Sequence, residues 1–583
     1  MNAKKRIAVI DYDSCNYDKC GNYLCEKVCP VNRTGKKCIT HEELKKPVIS
    51  EEQCIGCEIC QNRCPFKAIS IVNLSFNLNE PIHSFGKNMF RLHGLPSPQQ
   101  KSVLGLLGRN GIGKTTIAKI FSGTIVPNLG EKEANKQKVI DYYRGKEMQE
   151  FFKKLYAGEL KVSLKPQNIE MMKLNGTVRE LLEKIDEKKM LDKVAKELNI
   201  ENILERNASQ LSGGEFQKIA IAATGLKNAD LYFFDEPSSF LDIRERIRAA
   251  KFIRSLAETA AVIVIEHDLV LLDYLSDYVN LMYGKPRVYG FVSKVKTNRE
   301  GINIYLDGYS KDENYRFRDN EINFFSHQRN EKKERKEKII EWSEMQKKLG
   351  EFELNVEQNS VKKNEIIGIV GPNGIGKTTF MKILAGELKP ENTTLETSVR
   401  ISYKPQYISY TGEKTVYELF EAGTVPEIKQ TLLKHLELEE LLEKKAKNLS
   451  GGELQRLSIA LCLSKKADLY LLDEPSAYLD IEQRLAVGKA IKNHIDITDC
   501  SALVIDHDLS FIDYLSDKIM VFSGEPAKKG KAEGPFRVDD GMNKLLKYLN
   551  ITMRREKESK RPRINKQDSV LDREQKQSGK YYN

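Results

Sequence analysis

Four short motifs each occur twice in this 583-residue chain, in the same order both times. Gly108-Arg-Asn-Gly-Ile-Gly-Lys-Thr-Thr116 returns as Gly371-Pro-Asn-Gly-Ile-Gly-Lys-Thr-Thr379, and Leu211-Ser-Gly-Gly-Glu215 as Leu449-Ser-Gly-Gly-Glu453. Asp235-Glu-Pro-Ser238 returns as Asp473-Glu-Pro-Ser476, and Glu266-His-Asp-Leu269 as Asp506-His-Asp-Leu509. Ordered repetition on this scale means two tandem copies of one folding unit. Lys114 and Gln167 are 53 residues apart, Lys377 and Gln406 only 29, so the first copy carries extra chain. The surplus falls mostly within Val139–Leu160, where Tyr142, Tyr143, Met148, Phe151, Phe152 and Leu155 lie at helical intervals around a break at Gly145. The pattern predicts an inserted helix–loop–helix. Its aromatic and basic character marks either a docking surface or a plain loop elaboration.

Each glycine-rich run matches G-x-x-x-x-G-K-[ST] in the right setting. Ser102–Leu107 and Glu365–Val370 read as buried strands entering the loop, and Thr116–Phe121 and Thr379–Leu384 as helix starts. Inward-turned N–H groups and a helix N-terminus make a phosphate cradle. Its candidate residues are Gly108, Asn110, Gly111, Gly113, Lys114, Thr115 and Thr116, and Gly371, Asn373, Gly374, Gly376, Lys377, Thr378 and Thr379. Lys114 and Lys377 should reach the β- and γ-phosphates of ATP, with Thr115 and Thr378 on Mg²⁺. The apolar runs Leu231–Phe234 and Leu469–Leu472 end in Asp235-Glu236 and Asp473-Glu474. That places the carboxylates at the carboxyl edge of a sheet, where ligands bind in such folds. Asp235 and Asp473 suit Mg²⁺, while Glu236 and Glu474 suit orienting or deprotonating the attacking water.

Nine of the eleven cysteines precede residue 65. Cys54-x2-Cys57-x2-Cys60-x3-Cys64-Pro65 is the bacterial ferredoxin run, and Cys15-x4-Cys20-x4-Cys25-x3-Cys29-Pro30 a stretched version of it. Such runs give three ligands to one [4Fe–4S] cluster and the fourth to another. The prediction is Cys15, Cys20, Cys25 and Cys64 on one cluster, and Cys54, Cys57, Cys60 and Cys29 on the second. Zinc is the alternative metal, which eight thiolates with tandem Cys-Pro endings disfavour. Cys38 is expected to be non-ligating, with Cys462 and Cys500 in the core. No flavin or other redox motif follows, so a structural, docking domain is favoured over electron transfer.

Hydrophobic content of 40% and charged content of 30% fit a globular protein, and no long apolar run suggests a membrane span. The N-terminus lacks the apolar stretch of a signal peptide, so a cytoplasmic location is expected. The net charge is +11, and the segment from Arg554 to Asn583 holds ten Lys/Arg against five Asp/Glu. A basic excess points to a polyanionic partner such as nucleic acid, against a simply solvated tail.

The Leu-Ser-Gly-Gly-Glu segments resemble the signature of ABC ATPases, in which this element faces the γ-phosphate held by the other cassette. The resemblance implies that Lys114 shares a site with Ser450, Gly451, Gly452 and Glu453, and Lys377 with Ser212, Gly213, Gly214 and Glu215. Gln167 and Gln406 resemble the Q-loop residue that senses Mg²⁺ and the attacking water. His267 and His507 resemble the switch histidine on the γ-phosphate, and Asp242 and Asp480 resemble the D-loop aspartate. Adenine would stack on an aromatic upstream of the glycine loop, with Phe85 and Phe90 as candidates in the first copy and Phe352 in the second.

Taken with the cysteine series, Lys311-Asp-Glu-Asn314 and Arg316-Phe-Arg318, the whole chain resembles the ABC subfamily E ribosome recycling factors, or RNase L inhibitor family, in its archaeal branch. The fold class implied is an α/β multidomain protein: a bacterial-type ferredoxin-like α+β domain, then two P-loop ABC-type ATPase domains arranged head to tail. The expected divisions are residues 1–72 for the cluster domain, 73–289 for cassette one with its insert, 290–321 for a polar hinge, 322–524 for cassette two, and 525–583 for a second hinge and basic tail. The function implied is ATP-driven splitting of ribosomes into subunits after termination or rescue. The partners implied are the small subunit and its rRNA, a release factor or its rescue-pathway homologue, and initiation factors. The chain would be a monomer with intramolecular cassette pairing and no membrane partner. Arg109, standing where the second copy has Pro372, is expected to point away from phosphate with little consequence. A transporter ATPase subunit and a DNA-repair or redox-sensing ATPase are the rivals, and the cluster domain fits the first of them poorly.

Overall fold

The computed structural model describes residues 6–42, 45–73, 80–167, 176–322, 337–393, 399–406, 410, 412–421, 426–556 and 559–583. Two large mixed sheets dominate it, and their strand order is the same. In the first, Val103–Gly108 lies between Tyr278–Lys285 and Ala261–Ile265, followed outward by Leu231–Asp235 and Val162–Lys165. In the second, Ile366–Val370 lies between Lys518–Glu525 and Ser501–Ile505, followed by Leu469–Asp473 and Ile401–Lys404. These ladders are parallel, with Val262 opposite Val103 and Ala502 opposite Ile366. Every residue of Val103–Gly108, Leu231–Asp235 and Ala261–Ile265 is buried. Continuous apolar runs, covered on both faces, are what a parallel sheet requires.

The insert is a pair of helices, Lys136–Tyr142 and Glu147–Ala157, separated by the turn at Gly145. Apart from Tyr142, which is exposed, its aromatic stripe is core, which corrects the docking-surface alternative for the packed rings. Val139, Tyr143, Met148 and Phe152 are buried in the same cluster as Phe121 of the glycine-loop helix. The Phe121 and Phe151 centroids are 5.0 Å apart. The exposed side carries lysines.

The cysteine-rich domain pairs Arg6–Ile10 antiparallel with Ile69–Asn73, around two short helices, Leu24–Val28 and Ile59–Arg63. One face of its first strand leaves the domain: Ile7 and Val9 pack on Val288 and Tyr289 of cassette one.

The two stretches expected to be linker-like are folded instead. Residues 290–321 contain the helix Asn298–Asp307, whose Ile302, Tyr305 and Leu306 are buried against Leu281 and Ile481. After Gly524, Lys529–Arg537 is a strand of the second sheet and Val538–Leu549 an amphipathic helix on it. The basic tail forms the hairpin Met553–Arg555 with Pro562–Ile564, then the helix Val570–Ser578. Three of its arginines are spent internally. Arg561 and Arg563 grip Asp273, and Arg555 pairs with Asp513 at 2.7 Å. Asp273 and Asp513 occupy matching places in the repeat, so one hairpin ties together the helices that follow both histidine motifs. Arg329–Lys338, a charged stretch leading into the second cassette, lies almost entirely outside the described residues.

Removing one member of a buried ion pair strands the other. Asp273→Ala leaves Arg561, 1% exposed, without its carboxylate, and is expected to destabilise cassette one by roughly 3 kcal/mol. Thermal unfolding checks this, with the exposed Lys580→Ala staying near the parent.

Candidate nucleotide sites and thiol centres

The first glycine-rich loop leaves strand Val103–Gly108 and enters helix Lys114–Phe121 at Gly113, φ 97°; the second repeats this at Gly376, φ 93°. Only glycine fits there, because a Cβ would lie 2.9 Å from the Phe90 ring or 3.0 Å from that of Phe352. The two lysines are buried at the loop's centre. Lys114 Nζ donates to the Gly108 carbonyl at 2.7 Å and lies 2.8 Å from His267 Nε2. Lys377 Nζ donates to the carbonyls of Gly371 and Pro372, at 2.8 and 2.6 Å. Burial pushes the Lys377 ammonium down to about 8 despite Asp242, Glu474 and Asp473 nearby. Triphosphate oxygens would supply the charge this position lacks.

Burial, reinforced by the neighbouring glutamate, raises the Asp235 carboxyl to about 7 and that of Asp473 to about 6. Such carboxylates suit a divalent cation, whose charge reverses the penalty. Thr378 Oγ1 already donates to Asp473 Oδ2 at 2.9 Å, placing two expected Mg²⁺ ligands together. Glu236 and Glu474 both sit at φ 47°, left-handed backbone disfavoured for a residue with a Cβ. Gln167 Nε2 donates to Glu236 Oε1 at 2.6 Å, and Gln406 Nε2 to Glu474 Oε1 at 2.7 Å. His267 and His507 lie 3.6 and 3.4 Å from the same oxygens. Burial opposes the Glu474 charge, but His507, Gln406 and Lys377 outweigh it and hold that carboxyl near 2. Burial and then Lys114 drive His267 well below its usual range, so it is neutral. Each cassette thus brings lysine, aspartate, glutamate, glutamine and histidine into one pocket.

Ser212 and Ser450 are the N-caps of Gly213–Leu226 and Gly451–Leu463. Glu215 and Glu453 close capping boxes with them, which fixes these carboxylates at the helix starts. The D-loops connect the halves. Asp242 Oδ2 accepts from the Asn373 N–H at 2.9 Å, and Asp480 Oδ2 from the Asn110 N–H at 3.1 Å. Every glycine-rich loop is therefore touched by the opposite cassette. Arg109 does point away from its own loop, toward Glu482, at 3.3 Å, and Glu437 of the opposite cassette.

Among the aromatics, Phe90 and Phe352 are packed on Gly113 and Gly376. Phe85 is 47% exposed and free to offer a face. Its counterpart across the second hairpin is Leu349, paired with Phe352, which the sequence reading passed over.

Other supporting residues were missed as well. Lys165 Nζ donates to the carbonyls of Asp235 and Glu236, at 2.7 and 3.1 Å, and Lys404 Nζ to those of Asp473 and Glu474, at 2.7 and 3.5 Å. Burial lowers both lysines to about 8. Gln217 and Gln455 donate to the same glutamate carbonyls. The signal was present: each recurs at matching spacing, Lys-Pro-Gln before both Q-loops and a glutamine two residues after both signature glutamates.

The thiols ring two cavities. One is lined by Cys15, Cys20, Cys25 and Cys64, the other by Cys29, Cys54, Cys57 and Cys60, with Cys38 beside them. These are the two sets expected from exchange of fourth ligands. Among the described residues no three His, Cys, Asp or Glu side chains converge on a single-ion site, whereas a cubane spreads its ligands around a larger body. Burial pushes Cys25 and Cys60 up to about 12, so thiolates there need the positive charge of iron. The donor set fits two clusters. Cys38 donates to the Ser50 carbonyl at 3.8 Å, and Cys462 and Cys500 are buried core residues.

Fold and sites together define a twin-cassette ABC ATPase with a two-cluster ferredoxin-like domain. Family profiles agree: "ABC transporter" matches residues 97–239 and 354–477, "Possible Fer4-like domain in RNase L inhibitor, RLI" residues 6–37, and "4Fe-4S binding domain" residues 47–70. An uncharacterised ABC transporter ATP-binding protein of Methanocaldococcus jannaschii is 49% identical over 99% of this chain and 97% of its own. The translation initiation factor RLI1 of Saccharomyces cerevisiae is 43% identical over 99% and 98%. Among solved structures, a chain from a model of ribosome-bound archaeal Pelota and ABCE1 superposes with a TM-score of 0.96 at 49% identity, covering all of both chains. Archaeal ribosome recycling factor aABCE1, in complex with ribosomal stalk protein aP1, superposes at 0.82 with 48% identity over 87% of this chain and all of its own. The chain belongs to the ABC subfamily E, or RNase L inhibitor, family. It is a Mg²⁺-dependent ATPase with two [4Fe–4S] clusters.

Lys404→Met removes the donor that holds the Asp473 and Glu474 carbonyls. Hydrolysis at the second site is expected to slow at least tenfold with nucleotide affinity nearly unchanged, as measured by single-turnover hydrolysis alongside equilibrium binding.

Proposed function

We propose that this chain splits ribosomes into subunits after termination or rescue, driven by ATP-dependent closure of its two cassettes. The observation that carries the mechanism is the reciprocal contact of each D-loop aspartate with the opposite glycine-rich loop. Nucleotide held on one loop is thereby adjacent to the other cassette, and a ligand drives closure through its greater affinity for the closed state. Lys114 or Lys377 would hold the phosphates. Thr115, Asp235 and Gln167, or Thr378, Asp473 and Gln406, would hold Mg²⁺. Glu236 or Glu474 would orient and deprotonate the attacking water, with His267 or His507 against the γ-phosphate. Hydrolysis removes the bridging ligand, and the halves can separate. Phe85 is the proposed adenine platform of the first site.

The cluster domain is placed to move with the first site. Asn88, in the loop between Phe85 and Phe90, donates to the Ala8 and Ile49 carbonyls and accepts from the Ile49 N–H. Glu51 pairs with Arg91 at 2.9 Å. Cys15, Cys20, Cys25 and Cys64, and Cys29, Cys54, Cys57 and Cys60, would hold clusters that make this domain a rigid lever. One solved relative is ribosome-bound with Pelota, another is in complex with a ribosomal stalk protein, and the yeast relative is a translation initiation factor. They support a cytoplasmic site of action on the ribosome, mainly its small subunit and rRNA, with a release factor or rescue homologue and a link to initiation. The described residues contain no helix long and apolar enough to cross a membrane.

Sedimentation of ribosomes with this protein, ATP and a release factor tests the proposal: free subunits should accumulate with ATP and not with ADP. Glu236→Gln and Glu474→Gln should bind ATP normally, slow hydrolysis at the altered site by at least tenfold, and trap closure on the small subunit. Cys54→Ser with Cys57→Ser should lose a cluster's absorbance and all splitting while basal ATPase persists.

A further inference from the structure

The two cassette interfaces match in backbone and differ in charge. Arg287, φ 63°, lies in the turn between strands Tyr278–Lys285 and Tyr289–Val292, and its N–H donates to the Gly111 carbonyl at 2.8 Å. Ala527, φ 62°, holds the same place in the second cassette and donates to the Gly374 carbonyl at 2.9 Å. Both turns are thus bonded to a glycine-rich loop, but only the first has a cation at this position; in the second, the adjacent Lys528 pairs with Glu525 of its own turn at 3.5 Å. Arg287 Nη2 reaches Glu453 Oε1, across the interface, at 2.9 Å. Arg109 adds its contacts with Glu482 and Glu437 at 3.3 and 3.8 Å. Glu482 also takes Arg318 at 2.8 Å, so the first interface carries a small network.

At the second interface the repeat places Pro372 for Arg109 and Ala527 for Arg287. Facing them stand Arg244 for Glu482, Asn199 for Glu437 and Glu215 for Glu453. Arg244 turns elsewhere, with its guanidinium 5.2 Å from the Tyr548 ring centre. Glu215 meets Arg206 of its own cassette at 3.2 Å, as Glu453 meets Lys444 at 3.6 Å. Each signature glutamate has one cation from its own cassette. Glu453 has a second one from the opposite cassette.

We propose that Arg109 and Arg287 are positioning residues specific to the first nucleotide site: Arg287 holds the start of the second cassette's signature helix, and Arg109 the start of its helix Ile481–Thr498, against the first glycine-rich loop, so that this site retains nucleotide more tightly than the second. The proposal rests on the cross-cassette pairing described above. Neither arginine handles phosphate in this arrangement. Their pairs favour the apposed state, and a larger competent population raises apparent affinity. The pairs are partly exposed, and such contacts are individually weak and salt-sensitive.

The test uses the full-length, cluster-loaded protein with one site silenced at a time, by Lys377→Ala or Lys114→Ala, and a fluorescent ATP analogue titrated with Mg²⁺. Arg109→Pro with Arg287→Ala, which gives the first site the residues of the second, is expected to weaken the first site about three- to tenfold and leave the second unchanged. High salt should weaken the parent's first site and have little further effect on this variant. Arg287→Lys, which keeps the charge, should retain most of the affinity. Ala527→Arg, opposite Glu215, should tighten the second site. Equal weakening of both sites, or no change at either, would overturn the proposal. Ser450→Arg separates the two layers of inference. If it abolishes first-site binding while the arginine variant is neutral, the strap alone fails; if it too is neutral, the shared site itself fails.

Discussion

Two aspartates determine how this molecule works. Asp242 and Asp480 each begin a helix, and in each the two carboxylate oxygens have different masters. Oδ1 accepts from the N–H of Glu245 or Gln483, capping the helix of its own cassette, while Oδ2 accepts from the N–H of Asn373 or Asn110 in the other. Burial opposes the Asp242 charge, yet the N–H groups of Asn373 and Glu245, with His507 and Lys377 beyond, hold its carboxyl below the usual range. A charged oxygen in so dry a place is stable only while its donors stay in position. The geometry of one cassette's phosphate loop is consequently tied to the helix start of the other.

From that tie the remaining architecture follows. The helices begun by Asp242 and Asp480 pack beside those that follow His267 and His507, and the second cassette's core admits Ile243, Ile247 and Val270 from the first. The C-terminal hairpin reaches both sides, with Arg561 and Arg563 on Asp273 and Arg555 on Asp513. On the outer edge of cassette one, Asn88 fixes the cluster domain to the very loop that carries the exposed Phe85. Glycine-rich loops, cassette interface and cluster domain are each held by short, directional contacts.

Much of this was legible in the sequence because the repeat acts as an internal comparison. The phosphate loops, Asp-Glu pairs, glutamines and histidines stand where their motifs place them, and the thiols divide into the expected sets. Three things were obscured, each for a physical reason. The insert's aromatics look the same in sequence whether they face solvent or pack on Phe121. Polar, glycine-bearing stretches such as 290–321 read as linkers because their apolar residues, Ile302, Tyr305 and Leu306, form only one narrow helical face. Arg109 and Arg287 carry no motif; their partners lie in the other cassette, and sequence distance hides them.

The central claim is that each nucleotide pocket is completed by the opposite cassette. A structure of the closed, cluster-loaded protein with a non-hydrolysable ATP analogue and Mg²⁺ tests it most directly. The account predicts the γ-phosphate on Lys114 within hydrogen-bonding reach of Ser450 and the turn that follows it, and that on Lys377 within reach of Ser212. An analogue touching only its own cassette, with the opposing serine–glycine turn remote in the closed molecule, would contradict it.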